Sequence, residues 1–125
     1  MQQITADELG LVKSYLEIPF LLEVLEGNIE KMKHANLRLG HIFVFHLVTI
    51  RDNINREYIE IKKKMRNKGI KVFDQETTKI EITAKYVCRG YIGNMKLLME
   101  RVKSDLCEML AKQLGLDLAK MMLME

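Results

Sequence analysis

The chain has little of what marks secreted, membrane-spanning or metal-binding domains. Its two cysteines, Cys88 and Cys107, are too few for a disulfide framework and have no CxxC spacing. Both read as reduced, packed thiols. One proline and no tryptophan favour helix over a sandwich of short strands. The longest nearly unbroken apolar stretch, Ile42 to Ile50, is interrupted by His46 and is far below the roughly 20 residues that cross a bilayer. No membrane span is expected. The opening residues through Thr5-Ala6-Asp7-Glu8 carry neither a basic leader nor an apolar signal core, so a cytoplasmic location is the expectation.

What is present is the balance of a folded chain. Its 125 residues are 48% apolar and 30% charged, enough for one domain, 1–125, with a substantial core. The charge of +3 is unevenly spread: residues 1–30 hold six acids against Lys13 alone, and residues 31–72 hold eleven Lys/Arg against Asp52, Glu57 and Glu60. An acidic first helix beside a basic second one is the pattern of intramolecular pairing, although exposed pairs contribute only ~0–1 kcal/mol each.

Thr5-Ala6-Asp7-Glu8 is a capping box, and Leu9, Val12, Leu16, Phe20 and Val24 follow at steps of three and four. Pro19 should kink this helix, because it removes one bond and crowds the carbonyl of Tyr15. A second helix is expected over about 36–67, closed by Gly69. Ile42, Phe43, Val44, Phe45, Leu47 and Val48 leave its first half almost without a polar face, and a helix apolar all round needs cover on all sides. A helix of that extent would be ~46 Å long, against the ~36 Å breadth of a compact globule of this size. Either it bends, with Gly40 a candidate, or the molecule is elongated or dimeric.

Beyond Gly69 the rhythm changes. Ile70-Lys71-Val72-Phe73 suggests a short strand, and Ile80, Ile82, Ala84 and Tyr86 alternate with polar residues at the period of a half-buried strand. A helical reading competes: Thr78-x-x-Glu81 is a second capping box, and Ile80, Ala84, Val87, Tyr91, Met95, Leu98 and Val102 make one stripe. That helix would carry Gly90 and Gly93 inside it, each costing ~1 kcal/mol relative to alanine. The expected fold is therefore mainly α, an elongated bundle of three main helices near 5–33, 36–67 and 93–114, the first kinked at Pro19. It includes a short β-hairpin near 70–88 and an apolar tail over 116–125. The alternative is all-α with a last helix continuous from about 78.

No constellation names a reaction. His34, His41 and His46 lack the spacing of helical zinc sites, and Glu23, Glu30 and His34 are the weak remainder of a metal hypothesis. His46 reads as a core histidine. Arg89-Gly90-Tyr91-Ile92-Gly93-Asn94 contains GxxG without the Gly-Lys-Ser/Thr ending of a phosphate loop, though a helix N-terminus beside Arg89 could hold an anion weakly. No catalytic residue, cofactor or metal is assigned.

The expected function is non-catalytic: a self-associating interaction or regulatory module. Its surfaces would be the belt around Ile42, Phe43, Phe45 and Leu47 and the tail around Leu116, Leu118, Met121 and Met122. The alternative is a nucleic-acid binder using Lys62, Lys63, Lys64, Arg66, Lys68 and Lys71. Cations in a helix's last turn also complement its dipole, which explains part of that run without a ligand.

Overall fold

Thr5 and Glu8 cap the first helix reciprocally: the Glu8 amide donates to Thr5 Oγ1 at 3.1 Å, and the Thr5 amide donates to Glu8 Oε1 at 2.9 Å. The computed structural model describes residues 4–123, and from this cap α1 runs over Ala6–Lys33, with Pro19 inside it. A turn at 34–39 reverses the chain, Asn36 and Leu39 both taking positive φ. The second helix, α2, covers Gly40–Asn67. Each helix has 28 residues and is ~42 Å long. They pair antiparallel: Tyr15 stacks on Tyr58 at 5.8 Å, and Arg51 reaches Glu26 at 2.9 Å.

Three strands follow, β1 (Ile70–Thr77), β2 (Glu81–Cys88) and β3 (Tyr91–Leu98), in an antiparallel sheet of order β1-β2-β3. The last segments are α3 (Met99–Leu114) and α4 (Leu118–Leu123). Among the described residues, four helices and a three-stranded sheet give 65% helix and 20% strand, which makes the fold mixed α/β. The expectation of three helices with a short hairpin is overturned, and so is the all-α alternative.

The physical reasons are local. Thr78 does not start a helix: its hydroxyl accepts from the amides of Ile80 and Glu81 at 3.3 and 3.2 Å, and its own amide donates to the Glu81 carbonyl. The hydroxyl-to-amide bonds that cap a helix here close the β1–β2 turn. Residues 93–98 were expected to open the last helix, since Met95 and Leu98 fit its stripe. Gly93 decides for strand: it pairs with Tyr86, and a Cβ at this position would overlap the Tyr86 ring. The last helix consequently begins at Met99 rather than near 93, and the second begins at Gly40 rather than 36.

In β2 the alternation is cleanly resolved, with Ile82, Ala84, Tyr86 and Cys88 buried. They join Val12 and Leu16 of α1, Met65 of α2, Ile70 of β1 and Val102 of α3 in one cluster. A second cluster, Ile18, Leu21, Leu25, Ile50 and Ile54, lies further along the helical pair, with Leu106, Met109, Leu110 and Leu114 of α3 packed against it. Gly69 and Gly115, at φ of 70° and 71°, end α2 and α3 in the left-handed conformation glycine tolerates. The tail is helical over Leu118–Leu123, and Asp117 accepts from the Lys120 amide at its start. Residues 124–125 of that expected tail lie outside the described residues.

Candidate functional site

The two ends of the α1–α2 pair differ sharply. At the sheet end, Arg89 and Gly90 form the two-residue β2–β3 turn with φ of 49° and 91°, both positive as a type I′ hairpin requires. Arg89 is a non-glycine residue in that conformation, and its guanidinium is gripped by Glu8, Nη1 to Oε2 at 2.6 Å and Nη2 to Oε1 at 2.9 Å. Nη1 also donates to the Lys68 carbonyl at 3.1 Å, while the Arg89 amide donates to the Gly69 carbonyl. One residue thus ties the start of α1, the end of α2 and the β2–β3 turn together. The Arg89 hydrogen bond, followed by that from the Thr5 amide, holds the Glu8 carboxyl down at about 2. Tyr91 begins a strand, so the helix N-terminus that the sequence suggested after Arg89, and the weak anion site with it, is not formed there.

A second buried carboxyl lies between α1 and α3. Glu17 is 2% exposed, and burial, reinforced by the hydrogen bond and charge of Asp105, pushes it up to about 8. At neutral pH it is protonated and donates to Asp105. Burial disfavours the Asp105 anion, but the Glu17 hydrogen bond, Lys13 Nζ at 2.9 Å and Arg101 Nε at 3.3 Å outweigh that and keep it below the usual range. Glu17 was legible only as a lone carboxylate between Leu16 and Ile18. Its partner lies far away in sequence, so neither it nor the Glu8–Arg89 grip was anticipated.

At the opposite end nothing comparable closes the fold among the described residues. Beyond the second core cluster, Ile29 is sealed between the helices, but Leu37, Leu39, Ile42, Phe43 and Phe45 are exposed, Phe45 to 72%. A cleft of ≈ 500 Å³ opens there, lined by Met32, Leu37, Gly40, Val44, Phe45 and Val48. Leu47 is half-buried against the second cluster. The tail leaves from the same cluster through Leu114 and Gly115, with Leu116, Met121 and Met122 exposed and Leu118 half-buried. Both expected surfaces therefore adjoin one stretch of core.

His46 is exposed, not a core histidine. Cys88 is fully buried, but Cys107 is exposed on α3, against the expectation that both thiols are packed. Glu30 sits 3.6 Å from both Lys33 and His34, and among the described residues no three His, Cys, Asp or Glu side chains converge as metal ligands. The basic run is dispersed: Lys63 pairs with Glu60 at 3.6 Å, Lys64 lines a cleft with Glu57 and Glu60, Lys68 offers its carbonyl to Arg89, and Lys62, Arg66 and Lys71 line a separate cleft. Among the described residues no helix is long and apolar enough to cross a membrane.

The model of the YhjD protein family matches residues 3–118. The chain belongs to the YhjD protein family. The matched stretch takes in the apolar tip, both buried carboxyls and the whole sheet, and it stops at the first residue of α4. No curated protein and no solved structure gives a significant match.

Proposed function

We propose that this YhjD-family chain is a non-catalytic, cytoplasmic interaction module that self-associates through the tip of its helical pair. The observation that carries the reading is the exposure of Ile42, Phe43 and Phe45 beside Leu37 and Leu39, a contiguous apolar patch of the kind that marks interfaces on soluble proteins. Leu116, Met121 and Met122 offer a second exposed apolar surface beyond the end of α3. A regulatory role fits a fold in which one end is fixed and the other is free to engage a partner.

Light scattering after size exclusion tests the reading directly. At micromolar concentration the chain should run as a dimer or larger species. Phe43→Asp with Phe45→Asp should convert it to a folded monomer, and removal of residues 116–125 should weaken assembly. A strictly monomeric parent chain, unchanged by that truncation, would count decisively against it.

A further inference from the structure

The cleft at the sheet end carries a separate reading. Between α1, the last turns of α2 and the start of β1 lies a space of ≈ 580 Å³ lined by Tyr15, Lys62, Met65, Arg66, Ile70, Lys71 and Val72, with Gly69 at its rim, within the ~300–1,000 Å³ typical of small-molecule sites. Its floor is apolar, Met65 and Ile70 being buried and Tyr15 and Val72 half-buried. Its rim is cationic: no Asp or Glu lines it.

What sets three of the cations apart is that they share one cleft with no carboxylate in its lining. Lys63, Lys85 and Lys96 have Glu60, Asp74 and Glu81 within 4 Å, but among the described residues Lys62, Arg66 and Lys71 meet no carboxylate. Lys62 Nζ instead lies 4.6 Å from the Tyr58 ring centre, on the ring that stacks with Tyr15. Lys62 and Arg66 are one helical turn apart, a spacing at which like charges repel. Helix-dipole complementarity accounts for Arg66 in the last turn. It does not account for Lys62, a turn earlier, or for Lys71 on a strand.

We propose that this cleft binds a compact organic phosphate, with the phosphate bridging Lys62, Arg66 and Lys71 and the organic moiety against Tyr15 and Val72. The cleft is bounded rather than continuous. Lys64 lies in the neighbouring cleft with Glu57 and Glu60, and the other strand lysines, Lys85 and Lys96, are paired with Asp74 and Glu81, so carboxylates break up the cationic surface beyond the cleft. This inference is independent of self-association through Ile42, Phe43 and Phe45, which lie at the other end of the helices.

Calorimetric titration of the full chain with ATP, inorganic phosphate and a short single-stranded oligonucleotide tests it. ATP should bind saturably and more tightly than inorganic phosphate. Lys62→Glu with Arg66→Glu should weaken ATP roughly tenfold or more, while Lys79→Glu with Lys103→Glu, an equal charge change at exposed sites elsewhere, should leave it within about twofold. Lys71→Glu on the edge strand is the second variant if the first pair does not fold, and it too should weaken ATP binding. The monomerising Phe43→Asp/Phe45→Asp chain should bind ATP as the parent does. Absence of saturation at millimolar ATP, equal weakening by both charge-reversed pairs, phosphate bound as tightly as ATP, or an oligonucleotide bound far more tightly than ATP would each overturn the proposal.

Discussion

The same two helices end in opposite ways. At one end, α1 and α2 are covered by the sheet, their termini joined through Glu8, Arg89 and Lys68, and the side chains between them buried. At the other, they meet in a six-residue turn with Phe43 and Phe45 in the open. The difference teaches that helix propensity and apolar content do not by themselves decide where a core forms. The first half of α2 is the more apolar half, yet Ile42, Phe43 and Phe45 in it are exposed, because the strands fold back onto the other end.

The strongest way to sharpen that contrast is to remove equivalent bulk from each end. Leu16→Ala, at a fully buried position in the sheet-end cluster, should cost ~2–5 kcal/mol, read as a fall in the denaturant midpoint. Should Leu16→Ala prove as mild as a tip substitution, the sheet end would not be the stabilising one.

Next in size is the effect of pH through Glu17. Between the ordinary carboxylate value of 4.5 and about 8, the native chain holds a proton that the unfolded chain has released, so stability falls as pH rises through this window and levels off above it. The loss should be on the order of a few kcal/mol. Glu17→Gln, which keeps the donor and cannot ionise, should flatten the slope, and chemical denaturation at pH 5 and 8 would reveal a slope that persists. Lys13, Asp105 and Arg101 face the same carboxyl.

Glu8 produces the opposite limb. Its carboxyl is held at about 2, so between 4.5 and 2 the unfolded chain takes up a proton that the native chain does not. The contribution is full above 4.5 and is lost as pH falls toward 2. Glu8→Gln should therefore reduce the acid sensitivity of the sheet end, with hydrogen exchange at Gly69 and Arg89 as the local readout. An acid limb unchanged by Glu8→Gln would assign acid sensitivity elsewhere.

The smallest expected effect is Phe45→Ala in the monomeric state, within ~0.5 kcal/mol, because an exposed ring has little packing to lose. A loss above about 2 kcal/mol would mean that Phe45 is buried in the folded chain, and the contrast between the ends would fail.

Much of this was legible locally. The Thr5–Glu8 box, the start of the α1 stripe at Val12 and Leu16, the left-handed stops at Gly69 and Gly115 and the alternation through Ile82, Ala84 and Tyr86 each rest on neighbours within a few residues. The stripe's end was misplaced: Val24 is exposed, and Leu21 and Leu25 are buried instead. The third strand was not legible, because Met95 and Leu98 satisfy a helical period and the need for glycine at 93 shows only when Tyr86 is placed across from it. The basic run showed its charge but not its grouping, since Tyr15 and the β1 start must be placed before Lys62, Arg66 and Lys71 come to share one cleft.

The sequence by itself determined the Thr5–Glu8 cap, the stops at Gly69 and Gly115, the period of β2 and the apolar stretch that now stands open, because those follow from backbone hydrogen bonding and side-chain spacing over a turn or two. Tertiary structure alone decided that Tyr86 lies over Gly93, that Arg89 closes on a carboxylate 81 residues away and that Glu17 keeps its proton beside Asp105. Those outcomes depend on burial and on distances through space, which residues far apart in the chain acquire only when the core assembles.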